Sequence, residues 1–251
     1  RAKSGSAVVI DVNTGEVLAM VNQPSYNPNN RSSFSASRYR NRAITDILEP
    51  GSALKPLVVA AALESGKYRE KSYIDTSPGY VNIGSKKIVD KRNLGRINLQ
   101  TVLQKSSNVG ATKIAMSMDP EYLWTVLKRF GLGQSTASGF PGESAGLLSN
   151  YANWRDISQA TLAYGYGLSM TPLQLAQAYA VLGAKGLQYP VSLLKIEQDP
   201  IARRIVKPDT ADSVLRMMES VVQTGGTGTQ AAIAGYRIAG KTGTSRKAAN
   251  G

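Results

Sequence analysis

The sequence predicts an α+β fold, on three observations. β-Branched runs with turn residues open the chain, and strand-like stretches return near its end. Between them lies a middle rich in helix-forming segments with recognisable starts and stops. That order argues for an antiparallel sheet built from both chain ends and flanked by helices, plus a mainly helical lobe. The α/β lobe takes residues 1–66 and 186–251, and the helical lobe takes residues 67–185.

Ser6-Ala7-Val8-Val9-Ile10-Asp11-Val12 reads as a strand, Asn13-Thr14-Gly15 as a turn and Glu16 to Val21 as the returning strand. The polar, Ser/Asn/Pro-rich stretch from Asn22 to Arg42 reads as a loop, followed by a short helix over Asn41 to Leu48. A helix begins at Ser52, after the Pro50-Gly51 break, and ends near Ser65-Gly66. Residues 67–98 read as short strands and turns. Leu99 to Met118 is helical, with a break at Lys105-Ser106-Ser107-Asn108, and Asp119-Pro120 opens a helix that Gly131 stops. Residues 131–155 form a Gly/Ser-rich connection. Thr171-Pro172 opens a helix to Leu182, Tyr189 to Glu197 is strand-like, and Pro208 opens a helix to Val222. Gly235-Tyr236-Arg237-Ile238-Ala239 reads as a strand running into Lys241-Thr242-Gly243-Thr244. There is no internal repeat.

Composition narrows the chemistry. The chain of 251 residues has 42% hydrophobic residues with two Trp, three Phe and twelve Tyr, normal for a globular core. No apolar run approaches the roughly 18 residues of a membrane helix, and Arg1 as first residue reads as a piece of a longer protein. Cysteine is absent, which excludes disulfides and thiolate chemistry; histidine is absent too, which excludes a Ser-His-Asp triad and argues against zinc. A serine nucleophile here needs a lysine, carboxylate or tyrosine base. The net charge of +13 favours acidic partners. No basic run interleaved with stacking aromatics points to nucleic acid.

Three short patterns carry candidate chemistry. In Glu49-Pro50-Gly51-Ser52-Ala53-Leu54-Lys55-Pro56, Ser52 and Lys55 lie one helical turn apart, and a neutral lysine can take a serine's proton. Ser106-Ser107-Asn108 offers a hydroxyl and an amide at a helix break. On a strand, Thr242 and Thr244 would share one face, with Gly243 allowing close backbone approach. Each has a plain alternative. Ser192-Leu193-Leu194-Lys195 repeats the first pattern in an ordinary strand, Ser25-Tyr26-Asn27 repeats the second in a turn, and a lone Lys-Thr-Gly is usually a strand end.

In this order, S-x-x-K, S-x-N and K-T-G resemble the signature of the penicillin-recognising serine enzymes. Lys105 to Gly110, Tyr164-Gly165-Tyr166-Gly167-Leu168 and Thr171 to Ala176 extend the likeness over essentially the whole chain to class B penicillin-binding proteins, in their division-specific, septal peptidoglycan transpeptidase branch of Gram-negative bacteria. The resemblance implies the penicillin-binding/β-lactamase-like transpeptidase fold and a peptidoglycan D,D-transpeptidase without cofactor. Ser52 would attack the penultimate D-Ala carbonyl of a donor stem peptide and carry the acyl group to a second peptide's amine. It implies Lys55 as base, Ser106 and Lys241 as proton relay, and Asn108 bonded to Lys55 and substrate. Thr242 and Thr244 would bind the substrate carboxylate, and the Ser52 and Thr244 N–H groups would form the oxyanion hole. Gly243, Tyr164, Tyr166, Arg246 and Glu49 match positions around the cleft. β-Lactams would be covalent inhibitors. Divisome membrane proteins, including a glycosyltransferase, would be partners at the periplasmic face of the inner membrane, with the anchor outside this chain. Family members continue past the Lys-Thr-Gly strand through further strands and a C-terminal helix. The middle motif carries Ser107 where other branches carry Asp.

Other readings share residues with this one. A β-lactamase, a β-lactam sensor or a D,D-carboxypeptidase has the same acylation apparatus, separated by the fate of the acyl group. From another class, Gly235 to Thr242 satisfies G-x-x-x-x-G-K-[ST], a phosphate-loop pattern, which requires a helix to open after the lysine.

Overall fold

The computed structural model of the chain describes residues 2–30 and 35–244. Strands β1 (Gly5–Ile10) and β2 (Val17–Gln23) form the expected antiparallel hairpin. Two single-turn helices follow, α1 (Ala36–Tyr39) and α2 (Arg42–Thr45), so the helix expected over Asn41 to Leu48 is shorter, and Leu48 instead bridges Met170. A 3-10 turn at Gly51–Leu54 leads into α3 (Lys55–Glu64). Strand β3 (Tyr73–Asp75) pairs with β6 (Arg96–Asn98) around the hairpin of β4 (Tyr80–Ile83) and β5 (Lys86–Val89). Helices α4 (Leu99–Gln104), α5 (Asn108–Met116), α6 (Pro120–Arg129), α7 (Asp156–Leu162) and α8 (Pro172–Gly183) follow. Strands β7 (Leu187–Gln188) and β8 (Arg203–Arg204) then pair before α9 (Pro208–Val222).

Helix starts obey local chemistry. Asn98, Ser107, Asp119 and Thr171 each accept a backbone N–H of the first turn of the helix they open. Thr171 and Gln174 form a reciprocal capping box. Helix α3 is apolar all round, with eight of its ten residues buried, as befits a helix packed on every side. It lies against α5, α6 and α9, and α9 also packs on α4. The main core gathers Leu57, Val58, Leu103, Ile114, Leu127, Val181, Val214 and Val221. Each such side chain contributes about 1.5–3 kcal/mol by leaving water. A smaller cluster of Ile44, Leu173 and Val191 seats the β1–β2 hairpin through Val8, Ile10, Val17 and Met20.

The first hairpin meets the segment after β7 where Val17 N–H donates to the Ser192 carbonyl (2.8 Å) and Ser192 N–H to the Gly15 carbonyl (3.1 Å). Three strand expectations are corrected. Tyr189 to Glu197 contributes one bridge, at Ser192, rather than a strand; Pro190 has no N–H to give a ladder. Neither Gly235 to Ala239 nor Lys241 to Thr244 joins a sheet among the described residues. Their β-forming composition finds no neighbouring strand there, and a strand exists only as a paired ladder. Two helices among the described residues were not anticipated: α1, inside the stretch read as a loop, and α7.

Candidate active site

The nucleophile candidate sits on the 3-10 turn. Ser52 is partly exposed, and its carbonyl accepts the N–H of Lys55, the first residue of α3. Pro56 is tolerated because first-turn N–H groups lack helical partners. Backbone segments crowd this turn. Gly51 (φ +55) donates to the Gly165 carbonyl at 3.0 Å, and a Cβ on Gly165 would lie 1.9 Å from Gly51 O. From the other side, a Cβ on Gly51 would lie 2.2 Å from the Thr244 carbonyl. Only glycines let the three segments converge.

Lys55 is wholly buried, yet its amine has a complete set of partners. Nζ donates to the Ser106 carbonyl at 2.6 Å and to Asn108 Oδ1 at 2.7 Å, and lies 3.2 Å from Ser106 Oγ. The expected contact with the Ser52 hydroxyl is not among these; the S-x-N residues occupy the amine instead. Ser106 can present both oxygens because it adopts φ +57, a left-handed conformation costing about 1–3 kcal/mol in a non-glycine residue. Lys241 Nζ reaches the same hydroxyl at 3.0 Å. The three motifs are therefore one hydrogen-bonded unit, Lys55–Ser106–Lys241, with Ser52 one turn away.

The two amines differ. Burial, then the Lys241 charge, hold Lys55 well below the usual lysine range, while Asp90 pulls the other way. Burial lowers Lys241 from the ordinary 10.5 to about 8. Near neutral pH Lys241 is therefore an ammonium, and Lys55 is shifted toward the neutral amine. Both carbonyl-type acceptors take N–H groups of Lys55, which leaves its lone pair for a hydroxyl proton. The arrangement can draw a proton from a serine and pass another through Ser106.

The K-T-G stretch lies along the nucleophile turn. A Cβ on Gly243 would stand 3.0 Å from the Pro50 carbonyl, so the room expected there for a ligand is used by the protein's own turn. Thr242 Oγ1 pairs with Thr227 Oγ1 at 2.8 Å, and Thr242, Gly243 and Thr244 are exposed. Tyr166 donates to the Thr244 carbonyl at 3.2 Å and meets Tyr164 edge-on, ring centres 5.5 Å apart, while Tyr164 packs on the core. Glu49 Oε1 accepts the Gly167 N–H at 2.9 Å, bracing the loop after Gly165. Arg246 lies outside the described residues.

The look-alikes resolve locally. Ser192 closes a turn on Leu194, with Lys195 exposed, and Asn27 caps a turn through Asn29 N–H. No helix opens between Lys241 and Thr244, the last of the described residues. Among these residues no acidic, His or Cys cluster could hold a metal, and no helix is long and apolar enough to cross a membrane.

Two participants escaped the sequence reading. Asp90, at the end of β5, accepts Ser107 Oγ–H and the N–H groups of Asn108 and Val109. Tyr179 on α8 donates to the Ala53 carbonyl at 2.7 Å, beside Ser52. Neither lies in a motif; Tyr179, three positions before the helix end's Leu182, reads as an ordinary core aromatic.

Comparison with known proteins bears directly on this constellation. The penicillin binding protein transpeptidase domain family matches residues 5–251. The peptidoglycan D,D-transpeptidase FtsI of Escherichia coli K12 is 49% identical over 247 residues, 98% of this chain and 42% of the relative. The probable peptidoglycan D,D-transpeptidase PenA of Neisseria meningitidis is 43% identical over 251 residues, all of this chain and 43% of the relative. The transpeptidase domain of Burkholderia pseudomallei penicillin-binding protein 3 superposes with a TM-score of 0.90 at 43% identity, covering 99% of this chain and 71% of that one. The chain thus spans about two-fifths of the curated relatives it matches.

Proposed function

Because the chain belongs to the penicillin-binding protein transpeptidase family, we propose that it is the catalytic domain of a septal peptidoglycan D,D-transpeptidase acting through a Ser52 acyl-enzyme. The observation that carries this reading is the sealed Lys55 amine held by Ser106 and Asn108 and linked through Ser106 Oγ to Lys241.

In this mechanism Lys55 accepts the Ser52 proton as Oγ attacks the penultimate D-Ala carbonyl of a donor stem peptide. The developing oxyanion is bound by the Ser52 and Thr244 N–H groups, each worth about 3 kcal/mol of barrier. The Ser106 hydroxyl, backed by Lys241, delivers a proton to the leaving amine, and terminal D-Ala departs. Thr242 and Thr244 hold the terminal carboxylate beside the Lys241 ammonium. Asn108 orients Lys55 and the substrate amide. Lys55 passes the Ser52 proton on to Ser106 Oγ and is neutral again. An acceptor stem peptide's amine then attacks the acyl-enzyme, Lys55 takes that amine's proton and gives it to the departing Ser52 Oγ, and the free serine returns with the cross-link made. Tyr164, Tyr166 and Glu49 support the walls of the cleft, and Arg246 contributes to substrate binding from the segment after Thr244. β-Lactams acylate the same serine. We place the whole protein at the periplasmic face of the inner membrane at the division site, beside divisome membrane proteins that include a glycosyltransferase.

Incubation with a penicillin, followed by intact mass over hours, tests the reading. A stable adduct that is lost in Ser52→Ala supports it. No adduct on folded protein overturns it, and rapid turnover of the drug points to a β-lactamase.

A further inference from the structure

Asp90 touches neither Ser52 nor Lys241, yet it holds the segment that engages Lys55. Its Oδ1 accepts the N–H groups of Asn108 (2.5 Å) and Val109 (3.1 Å), and its Oδ2 accepts the Ser107 hydroxyl (2.5 Å). Ser107 Oγ in turn accepts the Gly110 N–H at 2.8 Å, capping α5, so its one proton is committed to Asp90. The neighbouring Val89 carbonyl accepts Asn108 Nδ2 at 3.4 Å, which turns Oδ1 of that amide toward Lys55. The end of β5 thus fixes both the backbone and the amide orientation of the turn.

The geometry points to Asp90 as a positioning residue for Lys55, with the Ser107 hydroxyl as its required partner. The inference rests on the Ser52 acylation reading. Ser106 tolerates its left-handed conformation because the following residues are clamped: three hydrogen bonds to a carboxylate anchor Ser107, Asn108 and Val109, leaving the Ser106 carbonyl and hydroxyl pointed at Nζ. A plain helix cap accounts for less. Ser107 already caps α5, and a cap alone has no bearing on the ionisation of Lys55. The charged groups facing that amine are Lys241, from the K-T-G stretch, and Asp90; Ser106 and Asn108 contribute neutral oxygens. Asp90 is the counter-charge that keeps the amine from becoming a still weaker base.

The partnership with Ser107 has a chemical consequence. A carboxylate at position 107 would face the Asp90 carboxylate with no proton between them. Moving the charge restores every bond: an Asn at 90 can accept both N–H groups through its oxygen and donate its amide N–H to an Asp at 107, which still caps Gly110.

The test measures the second-order rate of Ser52 labelling by a fluorescent penicillin from pH 5 to 9, with thermal melts to establish folding. D90N is expected to label about ten- to a hundredfold more slowly, the scale of a displaced reacting group, with the acid limb of its profile moved to lower pH. S107D is expected to lose a similar factor, and the D90N/S107D double variant to recover most of it. D90E, which keeps the charge, should slow labelling without moving the limb, and it serves in place of D90N if that variant melts below the assay temperature. Unchanged rate and profile in D90N, or a double variant no faster than either single one, overturns the inference. Wild-type protein that does not label at all refutes the acylation reading as well, an outcome visible before any variant is compared.

Discussion

Lys241 Nζ stands 3.0 Å from Ser106 Oγ, and that hydroxyl stands 3.2 Å from Lys55 Nζ. Two lysines therefore share one hydroxyl, and they differ in burial. Lys55 is sealed and Lys241 opens partly to solvent. An ammonium at Lys241 donates to Ser106 Oγ, which leaves the Ser106 hydroxyl proton to be passed on and the lone pair of a neutral Lys55 for the Ser52 proton.

The rate of Ser52 acylation should accordingly follow a bell in pH. The acid limb is the protonation of Lys55, which lies well below the usual lysine range. The alkaline limb falls at about 8, as Lys241 loses its proton. In Lys241→Arg, whose guanidinium stays charged, the alkaline limb should disappear even if the overall rate drops. Labelling rates between pH 5 and 10 decide this; a flat wild-type profile from 7 to 9.5 would remove Lys241 from the relay.

Stability should rise with pH over part of the same range. Below about 8 Lys241 is charged both folded and unfolded, so the cost of burying the ammonium is fully present. Between about 8 and 10.5 the folded protein sheds this proton while the unfolded chain retains it, so unfolding binds protons and the folded state gains. The effect is isolated by comparing urea midpoints of wild type and Lys241→Met at pH 7 and 9.5. The advantage of the variant should shrink at the higher pH; a constant gap contradicts the buried-ammonium account.

Gly165 and Gly167 both have positive φ, +85 and +82, but their surroundings differ. A methyl on Gly165 meets the Gly51 carbonyl at 1.9 Å, whereas the nearest atom to one on Gly167 is Thr161 Oγ1 at 3.7 Å. Gly167→Ala should cost about 1–2 kcal/mol, the backbone strain alone. Gly165→Ala should cost about 3 kcal/mol or more and abolish penicillin labelling, because the Ser52 turn must shift. Equal melting temperatures for the two variants would contradict this.

Tyr179→Phe removes the 2.7 Å hydrogen bond to the Ala53 carbonyl from a hydroxyl whose burial pushes its pKa up. We expect a loss of about 1 kcal/mol together with slower labelling, since the carbonyl adjoins Ser52. Thr171→Ala, at the buried capping box of α8, should cost a similar amount and leave the labelling rate of the folded fraction unchanged. If the two variants behave alike in labelling, Tyr179 has only a structural role.

Much of this was legible in the sequence because it is local. Ser52 and Lys55 are bound to one turn by helical spacing, Pro50-Gly51 announces that turn, and Asp119, Thr171 and Pro208 mark helix starts by chemistry within a few residues. Helix α7 was missed because a seven-residue helix beside a Gly/Ser-rich connection has little periodicity to read. The strand expected at Gly235 to Ala239 failed for the opposite reason: its residues suit a strand, but a ladder needs a neighbour that composition cannot supply.

By itself the sequence marked Ser52 as the candidate nucleophile, limited its base to a lysine, carboxylate or tyrosine in a chain without histidine or cysteine, and put the three motifs in order. It could not say which contact each motif makes. Lys55 was expected to face the Ser52 hydroxyl and instead spends its hydrogen bonds on Ser106 and Asn108. Tertiary structure alone decided that, together with the contacts of Asp90, Tyr179 and Gly165. The physical reason is burial. A lysine's proton affinity and partners depend on which distant segments close over it and exclude water, and those segments meet only when the chain is folded.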